Sequence, residues 1–168
     1  MTGGAPGPEI DLIRDSVESA GAKLRFFRIA FGAGGDQAAG LADAGRVAAD
    51  GRRGGRAGII WEAEGEATRS ELRLAFLLIL CIESALPLGG SVTVTRGDRW
   101  RIAGNGPTVR LEPTLWQALR SGSAATDLDA ARVQFALAPA AASELGAALD
   151  VETSEGAVAI SFRAGRGG

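Results

Sequence analysis

Residues 10–31, IDLIRDSVESAGAKLRFFRIAF, limit the possible folds more than any other stretch. Apolar side chains fall at Ile10, Ile13, Val17, Ala20, Leu24, Phe27 and Phe31. This alternating three-four spacing puts all of them on one stripe of an α-helix. A repeat held that strictly is the seam of a helical hairpin or bundle. Pro8 suits a first helical position, Glu9 and Asp11 lie where the helix dipole favours negative charge, and Gly32 offers a left-handed stop. No other stretch repeats the seam. Its partners are therefore expected from a second subunit, from a segment absent from this sequence, or from both.

The chain has 168 residues, enough for one domain with an appended element or for two small domains. A hydrophobic content of 46% supplies material for a core. The net charge of −2 gives no footprint for nucleic acid or an anionic membrane. A single cysteine, Cys81, excludes an internal disulfide framework. The longest apolar run, residues 74–82, is too short to span a bilayer, so a cytoplasmic protein is expected. There is no histidine and no tyrosine. That removes histidine general bases, Ser-His-Asp triads and phosphohistidine chemistry from these residues. With one cysteine, a thiolate zinc site is excluded as well, and neither a metal nor a cofactor is expected.

Residues 1–8 have a turn composition. A Gly/Ala/Asp-rich stretch follows the seam helix, with a short helix expected over 41–49 and a flexible linker from Gly51. Arg52, Arg53 and Arg56 read as a solvated loop, with a basic docking patch as the minority reading. Residues 59–64 read as a strand. Thr68 and Glu71 match a capping box that opens a helix through Leu86. That helix is apolar nearly all round, so it must be buried, with Glu83 exposed near its end. Strands are expected over 92–95, 100–103 and 108–111, the first two joined by a Gly97-Asp98 turn. A short helix over 114–119 and a helix over 128–145 interrupted near Pro139 follow. A last hairpin, 149–153 with 157–162, turns at Glu155-Gly156. The fold class is α+β: a bundle helix, then a mixed, mostly antiparallel sheet with helices on one face. The division is 1–33 as second helix of a hairpin, 34–57 as linker, and 58–165 as the sheet domain. Trp61, Trp100 and Trp116 read as packing anchors, and Cys81 as a small core residue.

A bundle helix followed by strand, buried helix, proline, Gly-Gly and strand resembles a sensor histidine kinase core, with a GHKL-type (Bergerat-like) ATP-binding domain. The segments SAGAKLRFFRIAFGAGG, LRLAFLLILCIESALPLGGSVTV and RIAGNGPTVRL resemble more closely the ChpT-type histidine phosphotransferases of bacterial phosphorelays. This resemblance covers residues 9–162. Kinases of this fold carry asparagines on the buried helix as oxygen ligands for Mg²⁺ and phosphate. The matching positions here are Leu77 and Cys81. The aspartate that accepts from adenine is matched by Gly104, with Gly106 as the next glycine of the box. The resemblance therefore implies a degenerate nucleotide site.

Members of the resembled family carry a His-Asp pair on a first bundle helix, and that histidine passes phosphate between receiver domains. The resemblance places residues 1–9 in the turn after that helix, so the phosphoacceptor helix is expected to be missing. A truncated start is favoured over a natural one, because a lone seam leaves its stripe unpartnered. The implied partners are response-regulator receivers, the receiver of an upstream hybrid kinase, and a second copy of the chain. Arg14, Asp15, Glu18, Ser19, Lys23 and Arg25 lie off the seam and are the receiver-binding candidates; a plain solvated face is the competing reading. Arg28 is a candidate tether to the sheet domain. Two other classes remain: a receiver-docking or dimerisation module that carries no phosphate, and an active GHKL ATPase or kinase, disfavoured by Leu77, Cys81 and Gly104.

Overall fold

The computed structural model describes residues 7–123 and 128–165. The turn expected at 1–8 lies, apart from Gly7 and Pro8, outside them. Helix α1 runs Pro8–Phe31, with Pro8 in its first turn, Glu9 and Asp11 near the positive end of the dipole and Arg28 in the last turn. Its stop differs from expectation. Gly32 is extended at φ −82°, and glycine is needed for space, since a Cβ there would lie 2.0 Å from the Arg28 carbonyl oxygen.

The expected linker is structured. It carries β1 (Ala38–Gly40) and α2 (Leu41–Gly51). Next come β2 (Ala57–Trp61), β3 (Glu66–Thr68) and α3 (Arg69–Ser84). The capping box forms: the Glu71 N–H donates to Thr68 Oγ1 at 3.1 Å and the Thr68 N–H donates to Glu71 Oε2 at 2.9 Å. Strands β4 (Gly90–Arg96) and β5 (Trp100–Asn105) form a hairpin. Helix α4 (Pro113–Ser121), a 3₁₀ turn (Ala130–Arg132), helix α5 (Gln134–Glu144) and the hairpin β6 (Asp150–Ser154) and β7 (Ala157–Phe162) complete the chain.

The main sheet has the order β2-β4-β5-β7-β6, parallel between β2 and β4 and antiparallel elsewhere. Register builds the core in rows. Val94, Ile102 and Ile160 lie abreast, as do Trp100 and Phe162, whose rings stack at 5.9 Å. These side chains are buried beneath the helices. The opposite rows carry Thr93 with Ala103 and Ala159, and Arg101 with Ser161, so that face is small and polar. Helices on one face of a mixed, mostly antiparallel sheet are what the sequence led us to expect. The tryptophans act as anchors: Trp100 and Trp116 are buried, and Trp61 packs edge-on against Phe76 and Trp100.

Two expected elements differ. Residues 108–111 form no strand, because β5 is flanked by β4 and β7 and offers no free edge; the Arg110 N–H donates instead to the Ala85 carbonyl. The helical break falls at Val133, and α5 passes through Pro139. Pro139 lacks the N–H that would bond the Phe135 carbonyl. Burial of Phe135, Ala138, Ala141 and Ala142 holds α5 together, with the Phe135 ring edge-on to Trp116. Among the described residues, no helix is long and apolar enough to cross a membrane.

Candidate functional site

Helix α1 has two faces. Ala22, Phe26 and Ala30 are buried against α2 and α3, with Phe26 stacked on Phe76 at 4.7 Å. The seam lies on another face and is largely bare. Ile13, Val17 and Leu24 are 63%, 66% and 58% exposed, and Ile10, Leu12 and Phe31 are exposed as well. Ala20 is exposed and Phe27 half-buried, stacked on Phe31 at 5.5 Å. So α1 does have partners within the chain, through a stripe the sequence reading passed over. A signal was present. Phe26 and Phe27 are adjacent, about 100° apart on a helix, and cannot both face one partner.

Arg14, Asp15, Glu18, Ser19, Lys23 and Arg25 are all exposed, and among the described residues none forms an ion pair. Arg28 is exposed too, and the tether at the base of α1 is Phe26 rather than Arg28. At this base a cleft of about 860 Å³ opens between Phe27 and Phe31 on α1, Ser84 on α3, and Glu112 and Arg132, which pair at 2.7 Å.

Arg52 also lines the cleft, and it is no solvated loop residue. Its Nε donates to Glu83 Oε1 at 2.9 Å and to Oε2 at 3.1 Å, while its guanidinium carbon sits 5.2 Å from the centre of the Phe26 ring. Glu83 is buried, contrary to expectation. A carboxylate inside a helix as apolar as α3 requires a partner cation, and that rule could have found the pair. Arg53 is exposed and pairs with Asp50, as a solvated loop residue would.

The positions expected to correspond to the kinase nucleotide site are closed. Leu77 and Cys81 have no solvent exposure, and α5 packs along α3 on the helix layer. Burial pushes the Cys81 thiol far up, so it stays protonated. Gly104 is a packing glycine: a Cβ there would lie 2.5 Å from Ile82 Cγ2. At Gly106 a Cβ would lie 2.4 Å from the Gly89 carbonyl oxygen. Close approach of strand to helix and turn explains both glycines. Glu71 is the other buried carboxylate, taking a 3.1 Å bond from Trp100 Nε1. Burial alone would raise its pKa; bonds from Thr68 and Trp100 and the charge of Arg96 outweigh that and hold it below the usual range. Among the described residues, no group of three or more His, Cys, Asp or Glu side chains could hold a metal ion.

Residues 41–157 match the family model of the histidine phosphotransferase C-terminal domain. The chain belongs to this family. It is similar to the protein phosphotransferase ChpT of Brucella abortus (strain 2308), 33% identical over 141 residues that cover 79% of this chain and 67% of the relative. A solved structure of a bacterial phosphotransferase superposes with a TM-score of 0.77 at 30% identity, over 96% of this chain and 81% of that one. The catalytic domain of histidine kinase ThkA matches at a TM-score of 0.52 and 13% identity, over 76% of this chain and 93% of that one. That likeness establishes a GHKL-type fold and no more. The family's matched residues begin at α2, so α1 lies outside them.

Proposed function

We propose that this chain serves a two-component phosphorelay as a dimeric histidine phosphotransferase, passing phosphoryl groups between receiver domains. The observation that carries the reading is the bare apolar stripe of α1 in a member of this family. A face with Ile10, Ile13, Val17 and Leu24 in water is a surface for association. Two copies meeting along it would build a bundle, with Phe31 at its lower end. The 168 residues contain no histidine, so the reading assigns the phosphoryl-carrying imidazole to residues outside them.

The reaction is an exchange at phosphorus. An imidazole nitrogen attacks the acyl phosphate of one receiver in line, the P–N bond forms and the aspartate carboxylate leaves. The reverse step loads the next receiver. Such transfer needs little more from the protein than positioning. The charged flank of Arg14, Asp15, Glu18, Ser19, Lys23 and Arg25 would hold the receiver in register on α1. In this reading the sheet domain is scaffold and docking surface, with ATP playing no part.

Phosphotransfer from a labelled receiver to a polypeptide that joins these residues to the histidine-bearing ones, then to a second receiver, tests the reading directly. Label should pass through that polypeptide, and Arg14→Glu with Lys23→Glu should weaken receiver binding about tenfold, or 1.4 kcal/mol, while leaving the melting temperature unchanged. Tight receiver binding with no labelled intermediate would support the second reading, a docking module without phosphate. The absence of histidine is what keeps that reading open. No receiver binding at all would overturn both.

A further inference from the structure

Helix α1 projects its N-terminal half into solvent: residues 8–20 are exposed, and burial begins at Ala22. Its direction is therefore set by the few contacts at its base. Three observations converge there. The α2 C-terminus approaches α1 so closely that a Cβ on Gly51 would lie 2.5 Å from Phe26 Cβ. Phe26 stacks on Phe76 of α3. Arg52, next in the chain after Gly51, joins all three helices. Its guanidinium forks onto Glu83 of α3, Nε donating to Oε1 and Nη2 to Oε2, and lies 5.2 Å and 5.9 Å from the centres of the Phe26 and Phe27 rings of α1.

The chemistry at this point is directional. A planar guanidinium that donates from two of its nitrogens to one carboxylate has a fixed plane and position, and the Phe26 and Phe27 rings, edge-on to each other at 89°, pack around that fixed charge. Phe26 and Phe27 are consecutive, so fixing both rings fixes rotation of α1 about its own axis as well as its tilt. A lysine could keep the charge but neither the fork nor the flat face. The pair is nearly closed to water, with side-chain exposures of 18% for Arg52 and 6% for Glu83. It lines the cleft beneath Phe31 on the same side as the bare stripe.

We propose that Arg52 is a positioning residue: through Glu83, Phe26 and Phe27 it sets the angle and rotation at which α1 leaves the sheet domain. A receiver that touches both α1 and the sheet domain would read that angle. This consequence for binding rests on the phosphorelay reading, whereas the angle itself does not.

The test measures the angle. Spin labels at Ser16→Cys on α1 and Ser154→Cys on β6 occupy exposed sites on the two parts. The buried, protonated Cys81 stays unlabelled. Electron–electron double resonance is recorded on full chain diluted with unlabelled protein, so that distances within one chain dominate. The parent should give one narrow distance distribution. Arg52→Ala should broaden or shift it, and Arg52→Lys should do so partly, with the near-ultraviolet dichroism of Trp100 and Trp116 unchanged. Receiver affinity on the same variants should fall severalfold. A parent-like distribution in folded Arg52→Ala or Arg52→Lys would overturn the proposal. If Arg52→Ala does not fold, Arg52→Lys still decides. Failure of receiver binding in the parent would count against the phosphorelay reading alone, because the distance needs no receiver.

Discussion

An aspartate at position 104, the expected counterpart of a kinase's adenine acceptor, would place its Cβ 2.5 Å from Ile82 Cγ2 and 3.3 Å from Leu86 Cδ1. It would also bury a carboxylate with no cation beside it. Gly104→Asp is therefore expected to destabilise the chain by about 3 kcal/mol, from overpacking and an unpaired polar group together, and to restore no nucleotide binding. Urea denaturation reads the loss, and a midpoint equal to the parent's would refute the packing account. Glu71 makes the opposite case, a buried carboxylate that the fold wants charged. Its folded pKa lies below the ordinary glutamate value, so the folded state holds its proton less tightly than the unfolded chain does. The resulting stabilisation is fully present above about pH 5 and is lost as pH falls through the folded pKa. Melting temperatures measured down through that window should fall less steeply in Glu71→Gln than in the parent. Parallel curves would mean that Glu71 contributes nothing to acid sensitivity.

At the scale of elements, α1 carries a buried face and a bare apolar face, and on the proposed dimer substitutions at the two should act differently. Phe26→Ala removes a buried ring stacked on Phe76 and should lower stability by about 3 kcal/mol without changing which surface associates. Val17→Asp changes a side chain that is 66% exposed. It should alter the stability of the dilute chain by no more than about 0.5 kcal/mol, while sedimentation velocity shows the associated species gone. If Val17→Asp sediments like the parent, the stripe is not the interface. The same helix shows what was legible beforehand. Large apolar residues at three-four spacing announce a helix with an apolar stripe, which is bare in the structure, and a capping box announces the start of α3. The buried face of α1 was hidden because two of its members, Ala22 and Ala30, are too small to mark a pattern. The packed α2–β2 corner was hidden because Gly51 and Arg52 have the composition of a linker; only the distant Phe26 and Glu83 show that the glycine makes room and the arginine makes a joint. Residues 108–111 alternate like a strand, but β5 just before them is already paired on both sides by β4 and β7, and that pairing is a property of the whole sheet.

The whole molecule has the helix-on-sheet layering of a GHKL-type fold, and its helix layer is packed shut around Leu77 and Cys81. Leu77 and Cys81, the expected counterparts of the oxygen-ligand positions, are sealed in the core, and the thiol is held protonated there. Phosphate and Mg²⁺ need hard oxygen ligands, and opening this core to admit them would give up contacts along both α3 and α5. The cleft beneath α1 is large enough for a small molecule, but Arg52 and Arg132 on its walls are already paired with Glu83 and Glu112, and along with Arg56 the acidic Asp129 lines it as well. Scanning calorimetry with millimolar ATP and Mg²⁺ should therefore leave the melting temperature within about 1 °C of the apo value. A ligand that binds only the native state at a hundred times its Kd adds about 2.7 kcal/mol, which is about 5 to 10 °C for a chain of this size. A rise of that order would revive the kinase reading and would require α5 to move off α3. A flat result would count against the kinase reading and leave the helix layer, on which α1 packs through α2 and α3, with a structural role.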